Sequence, residues 1–168
     1  MNVGSLILIP ETVLTYKSEL LLAWRRGDRS LLPDFVSVPE AVENQPDYHF
    51  GEAYTLRHYH DTAGWKGLWF YTLGRQANTD AFRPGNNLVE QMIPRGDLER
   101  LRMMRARDPL TRNGGGEPDL FLYDDRGSFM FVEVKKRPDR LRPSQHRSIA
   151  QLLAVKRGRA RSSRAVMR

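Results

Sequence analysis

The chain has 168 residues, 40% of them apolar and 28% charged, with no cysteine and a net charge of +7. This length and balance exclude an intrinsically disordered chain, and the missing cysteines exclude a disulfide scaffold and a thiolate zinc site. The charge is lopsided: from Lys135 to Arg168 twelve Lys/Arg face one acid, Asp139, while the first 134 residues carry 15 basic and 19 acidic side chains. A basic stretch beside an acidic remainder suits a polyphosphate partner, and an inert solubilising tail or contact with an anionic membrane is the plainer alternative.

The apolar run Leu6 to Ile9 is four residues long and ends at Pro10. A secretory h-region needs about 7–15 apolar residues and a membrane span about 20. The expectation is a chain without signal peptide or membrane insertion, cytoplasmic or delivered into a target cell by a secretion system. Spacing of Val13, Leu20, Leu21 and Trp24 predicts a helix over residues 12–26, and Pro33, Pro39 and Pro46 mark an extended connector. A second helix is expected from Gly51 to about His60, with Glu52 in its first turn. Residues 68–73, Leu-Trp-Phe-Tyr-Thr-Leu, read as a buried strand, and residues 75–94, rich in Asn, Gly and Pro, as loop.

Residues 97–107 predict a short helix. With Arg95 just ahead of it, this stretch bears five arginines: a solvated face or a phosphate-contacting one. Gly114 to Gly116 read as a flexible break. Then come two apolar strands, residues 118–123 and 128–135, separated by Asp124-Asp125-Arg126-Gly127. The simplest connection is a hairpin with a three-residue loop and a left-handed glycine, which pairs Phe121 with Phe131 and sets Asp119 opposite Glu133. Because side chains alternate along a strand, Glu133 and Lys135 share one face, and Asp119 joins them. A one-residue slip would break the cluster.

Phosphodiester hydrolysis uses these residue types. Two carboxylates offer hard oxygen ligands to Mg²⁺ or Mn²⁺, and the backbone carbonyl of Val134 could complete the shell. A neighbouring lysine can orient or deprotonate the attacking water, or neutralise charge in the transition state. The bland reading is an exposed strand end with ordinary surface charges, but both strands are apolar on both faces, so the charges are exceptions within buried structure. A basic helix begins near Pro143. His58 and His60, two apart on a helix, cannot face each other as a zinc pair, and His49 and His146 are isolated, although His146 beside Gln145 could approach a phosphate.

Gly116-Glu117-Pro118-Asp119-Leu120, Phe131-Val132-Glu133-Val134-Lys135, Asp139-Arg140-Leu141 and Gln145 together resemble the VRR-Nuc family of PD-(D/E)xK nucleases. The likeness is close over residues 114–153 and looser over residues 51–74, where Glu52 precedes Gly64-Trp65-Lys66-Gly67. The resemblance implies an α/β, restriction-endonuclease-like core, a central mixed sheet flanked by helices, and metal-dependent cleavage of DNA, often branched or flapped. It also implies Asp119 and Glu133 as metal ligands, Lys135 as the catalytic lysine, Gln145 as a supporting active-site residue and Glu52, less securely matched, as a further ligand. Trp69-Phe70-Tyr71 stand where relatives carry an acidic residue. Lys136, Arg137, Arg140, Arg142 and Arg147 are the candidate DNA contacts.

On this reading residues 1–48 form an N-terminal helical and extended segment, residues 49–156 the nuclease core and residues 157–168 an arginine-rich tail. Family members usually continue with another strand there; Lys156-Arg157-Gly158-Arg159-Ala160-Arg161 reads instead as a disordered phosphate-binding arm. The Gly64 to Tyr71 stretch resembles VRR-Nuc effectors of type VI secretion systems, which would make the chain an antibacterial toxin with an immunity protein as partner. A phage or repair junction nuclease, a catalytically silent DNA-binding module of the same fold and an RNA nuclease are the alternatives.

Overall fold

A computed structural model describes residues 9–36, 45, 47–74, 80–136, 138–155 and, for the backbone, 160–167. In chain order the elements are β1 (Glu11–Leu14), α1 (Ser18–Arg25), α2 (Phe50–Ala63), β2 (Lys66–Leu68), α3 (Arg83–Met92), α4 (Arg95–Arg107), β3 (Leu120–Tyr123), β4 (Phe129–Lys136), α5 (Pro143–Val155) and β5 (Ala160–Met167). The five strands form one mixed sheet in the order β1-β5-β4-β3-β2. β2, β3 and β4 are antiparallel, and β5 runs parallel to both β4 and β1. This is the α/β core with a mixed central sheet that the motifs led one to expect.

The β3–β4 hairpin has the expected register, with Phe121 opposite Phe131 and Tyr123 opposite Phe129. Asp124 N–H donates to the Ser128 carbonyl, and Gly127 takes φ 80° in the three-residue loop between them. The carboxylate of Asp124 accepts from the N–H groups of Arg126 and Ser128, which holds the turn closed.

Alternation along β3 and β4 divides the core into two layers. Leu120, Leu122, Met130 and Val132 point to one face and pack with Phe50, Ala53 and Leu56 of α2, with Leu14 and with Trp24. Phe121, Phe129 and Phe131 point to the other and pack with Tyr71, Leu73, Val89 of α3, Leu98 and Leu101 of α4, and Leu152 and Val155 of α5. A sheet buried on both faces reads as continuous apolar sequence, which is the pattern of these two strands. Among the described residues no helix is long and apolar enough to cross a membrane.

Three local expectations are corrected. The helix expected over residues 12–26 is a strand, Glu11–Leu14, followed by a shorter helix, Ser18–Arg25; the first four residues instead pair with a partner more than 140 positions away. The strand expected over residues 68–73 is Lys66–Leu68, and the chain then leaves the sheet. There the N–H groups of Thr72, Leu73 and Gly74 bond to the side chains of Asn86 and Glu117 rather than to a ladder. Part of the loop expected over residues 75–94 is helix α3, with Pro84 in its first turn; residues 75–79 lie outside the described residues.

The largest correction concerns the C-terminus. Residues 160–167 are no free arm but a strand set between β4 and β1, so the sheet draws strands from the first and last of the three expected segments as well as from the middle one.

Candidate active site

The site lies where β3 begins. Asp119 stands one residue ahead of Leu120, and its Oδ2 accepts a 2.7 Å hydrogen bond from the N–H of Val134. In an extended strand the N–H and C=O of one residue project to the same side. The Val134 carbonyl therefore faces the edge that Asp119 occupies, as the sequence reading requires of a third oxygen donor.

Glu133 points to the phenylalanine-lined face and is 2% exposed. Its Oε1 receives Lys135 Nζ at 2.7 Å and also the Nε2 of Gln145. Its Oε2 is buried without a hydrogen-bond donor. Gln145 is itself buried in the first turn of α5. Its Oε1 accepts from the N–H of Arg142 at 2.9 Å, and its own N–H donates to the Arg142 carbonyl at 3.0 Å. With the amide oxygen so engaged, the NH₂ end is the one that faces Glu133.

Burial pushes the Glu133 carboxyl up to about 8, with the adjacent Asp119 charge next in importance, against the pull of Lys135. Asp119 is also raised, first by burial and then by the charge of Glu52, while the Val134 N–H opposes the shift. Two carboxyls held toward neutrality, with an orphaned oxygen between hard donors, form a place that a cation would stabilise. The donor set fits Mg²⁺ or Mn²⁺: two carboxylates and a carbonyl, with no sulfur and no imidazole.

Glu52 sits in the first turn of α2, and its charge reaches Asp119. His49 Nδ1 lies 3.5 Å from its Oε1. Burial of Glu52 raises its carboxyl, but the adjacent His49 ring, the helix N–H of Glu52 itself and the nearby charge of Lys136 outweigh it, and the net shift is downward. Among the described residues, no group of three or more His, Asp or Glu is arranged to hold a metal ion. Asp119 and Glu133 act on each other directly, and the charge of Glu52 acts on Asp119. His49, expected to be isolated, packs against Glu52 and Trp69 instead.

Of the basic residues singled out as DNA contacts, Lys136, Arg140 and Arg142 are exposed around this end of the sheet. Arg147 is paired with Asp108, and Arg137 lies outside the described residues. The arginines of α4 are largely committed to the protein: Arg95 pairs with Glu99, Arg102 with Glu90, and Arg105 is buried, leaving Arg100 and Arg107 exposed. Arg105, Thr72 and Ser148 carry no mark in the sequence as participants, and Glu117 enters there only as part of the motif around Asp119, yet these side chains form a hydrogen-bonded network behind Asp119 and Gln145.

A mixed sheet between helical layers, with Asp119 before one strand and Glu133-Val134-Lys135 on the next, defines the chain as a protein of the PD-(D/E)xK nuclease class. The description of the VRR-NUC domain matches residues 77–164, more than half of the chain, and the chain belongs to that family of nucleases. Asp119, Glu133, Lys135 and Gln145 fall inside the matched segment, whereas Glu52 and Gly64 to Gly67 precede it. No curated protein matches the chain.

Proposed function

We propose that the chain is a divalent-metal-dependent DNA endonuclease in which Asp119, Glu133 and the Val134 carbonyl hold the ion and Lys135 acts on the attacking water. The observation that carries this reading is the buried Oε2 of Glu133, left without a donor beside a second raised carboxyl. When bound, Mg²⁺ or Mn²⁺ supplies charge neutralisation and polarisation of the scissile phosphate.

The protein's own groups do the rest. Val134 N–H fixes the rotamer of Asp119, and Gln145, oriented by Arg142, fixes that of Glu133. Lys135, half-buried against Glu133, is placed to orient the nucleophilic water and to receive its proton or offset the negative charge that develops on phosphorus. The exposed Lys136, Arg140 and Arg142 offer phosphate contacts at the lip of the site. Branched or flapped DNA is the favoured substrate on the family resemblance.

The test is nicking of plasmid and flapped DNA, with labelled RNA alongside, in Mg²⁺, Mn²⁺ or EDTA. Glu133→Ala and Asp119→Ala should abolish cleavage. Lys135→Ala should lower kcat by ~10²–10⁴-fold, the range a proton-transfer group commands. All three should remain folded by circular dichroism. Full activity in these variants and in EDTA rules the reading out, and binding without cleavage by the wild type identifies a silent DNA-binding module instead. A toxin role, with an immunity protein as partner, predicts growth arrest and DNA damage on expression, relieved by co-expression of the neighbouring gene; harmless expression of the active enzyme counts against it.

A further inference from the structure

Arg105 is 1% exposed in the last turn of α4, facing inward. Its Nη1 donates to Ser148 Oγ at 2.7 Å, and its Nη2 to the Gly115 carbonyl at 3.2 Å and to Glu117 Oε1 at 3.3 Å. Its Nε is buried without a partner. Burial pulls the guanidinium's pKa down, with Glu117, Tyr71 and Asp108 pulling it back. Stability alone is a poor reason to keep this group, because replacing a buried ion pair by well-packed hydrocarbon is often neutral or stabilising.

The contacts reach both sources of the catalytic side chains. Glu117 and Pro118 lead directly into Asp119. Glu117 Oε1 also collects Thr72 Oγ1 at 2.9 Å, Leu73 N–H at 2.8 Å and Gly74 N–H at 3.2 Å, while the Pro118 carbonyl accepts from Tyr71 Oη at 2.6 Å. Ser148 lies one helical turn beyond Gln145, on the same buried side of α5. A planar fork with fixed donor directions can tie two such elements at a set separation, which a lysine ammonium cannot.

We infer that Arg105 is a positioning residue that locks the loop carrying Asp119 to the helix carrying Gln145, so that both ends of the Asp119–Glu133–Gln145 array keep one spacing. The inference rests on the nuclease reading for its consequence in catalysis and on the hydrogen-bond geometry alone for its structural half.

The test is run on the full chain, well below the melting temperature of each variant, with two readouts. The first is cleavage: Arg105→Gln should lower kcat ~10²-fold, the scale of an ångström misplacement of catalytic groups, with KM for DNA unchanged, and Arg105→Lys should recover only part of it. The second is the side-chain amide of Gln145 in ¹H–¹⁵N spectra, assigned by its loss in Gln145→Ala. Its bond to the Glu133 carboxylate should displace it from free glutamine in the wild type, and Arg105→Gln should return it toward the free position. An unmoved Gln145 amide or a wild-type kcat in folded Arg105→Gln overturns the inference. If that variant does not fold, Ser148→Ala, which cuts only the tie to the helix, decides on the same amide signal: a shift supports the lock and no shift overturns it. A wild-type protein inert on DNA whose Gln145 amide still responds to Arg105 keeps the lock and sinks the nuclease reading.

Discussion

At Glu133 the fold holds a carboxyl in a place that disfavours its charge. Burial first, and then Asp119, raise it from 4.5 to about 8, so the folded chain retains a proton that the unfolded chain releases. The stability linked to that proton is fully present below pH 4.5 and is lost as pH rises through about 8; raised Asp119 acts in the same direction. The lowered carboxyls Asp28, Glu52, Asp108 and Asp124 contribute with opposite sign, but only below their ordinary values of 4.5 and 3.8, outside this window. In EDTA the melting temperature should therefore fall between pH 5 and pH 8, and Glu133→Gln should flatten the fall. Mn²⁺ should restore stability at pH 8 and add little at pH 5, since ion and proton compete for the same oxygens. Melting scans across pH with and without Mn²⁺ check this; identical slopes for wild type and Glu133→Gln would count against the assignment. The acidic pair and the lysine were legible in the sequence because strand alternation is rigid: once the hairpin register is known, residues 119, 133 and 135 must converge. Arg105 was not, because one inward-facing arginine among five on a helix has no mark that separates it from its solvated neighbours.

At the scale of elements, the run Gly114 to Gly116 shows why composition misled. Read as a flexible break, it is instead the seam where the chain ahead of Asp119 passes flush against the start of α5. Gly116 has φ 70°, and a Cβ there would lie 2.1 Å from the Ser144 carbonyl oxygen and 2.6 Å from the Gln145 nitrogen. Gly116→Ala must therefore accept a left-handed conformation, at ~1–2 kcal/mol, and also push α5 away at the residue that steadies Glu133. The expected outcome is a melting temperature several degrees lower and a loss of cleavage larger than that destabilisation explains, measured as kcat well below melting. Gly127→Ala, in the hairpin turn with a positive φ but nothing within 4 Å of a Cβ, should pay the conformational cost alone and retain cleavage. Equal losses in the two variants would dismiss the seam. The elements that sequence patterns revealed, α2, α4, β3, β4 and α5, are those whose periodicity is carried by their own side chains. β1, the end of β2 and α3 were missed because they are short and held by distant partners, such as Glu117 and Asn86 for the stretch after β2.

Across the whole molecule, the decisive contact is the one no local pattern could reveal. β5 lies between β4 and β1, so residues 160–167 supply ladder partners on two sides at once. Eight residues of β4, from Phe129 to Lys136, find their parallel partners there, among them Glu133 opposite Arg164 and Lys135 opposite Val166. The stretch was read as an arm because four of the six residues from Lys156 to Arg161 are basic, yet a parallel partner of a catalytic strand is fixed by the pairing of the whole sheet, which is not a property of nearby sequence. The two readings differ in what truncation does. If the segment were an arm, ending the chain at Val155 would leave the melting temperature unchanged and weaken DNA binding, with a smaller dependence on salt. As an interior strand, its removal strips β4 of one ladder along its whole length and leaves β1 without a neighbour, exposing unpaired backbone groups beside Glu133 and Lys135. We expect the truncated chain to lose its cooperative thermal transition and its cleavage together, by calorimetry and plasmid nicking, whereas a cooperative transition at the full-length temperature would return the segment to the surface.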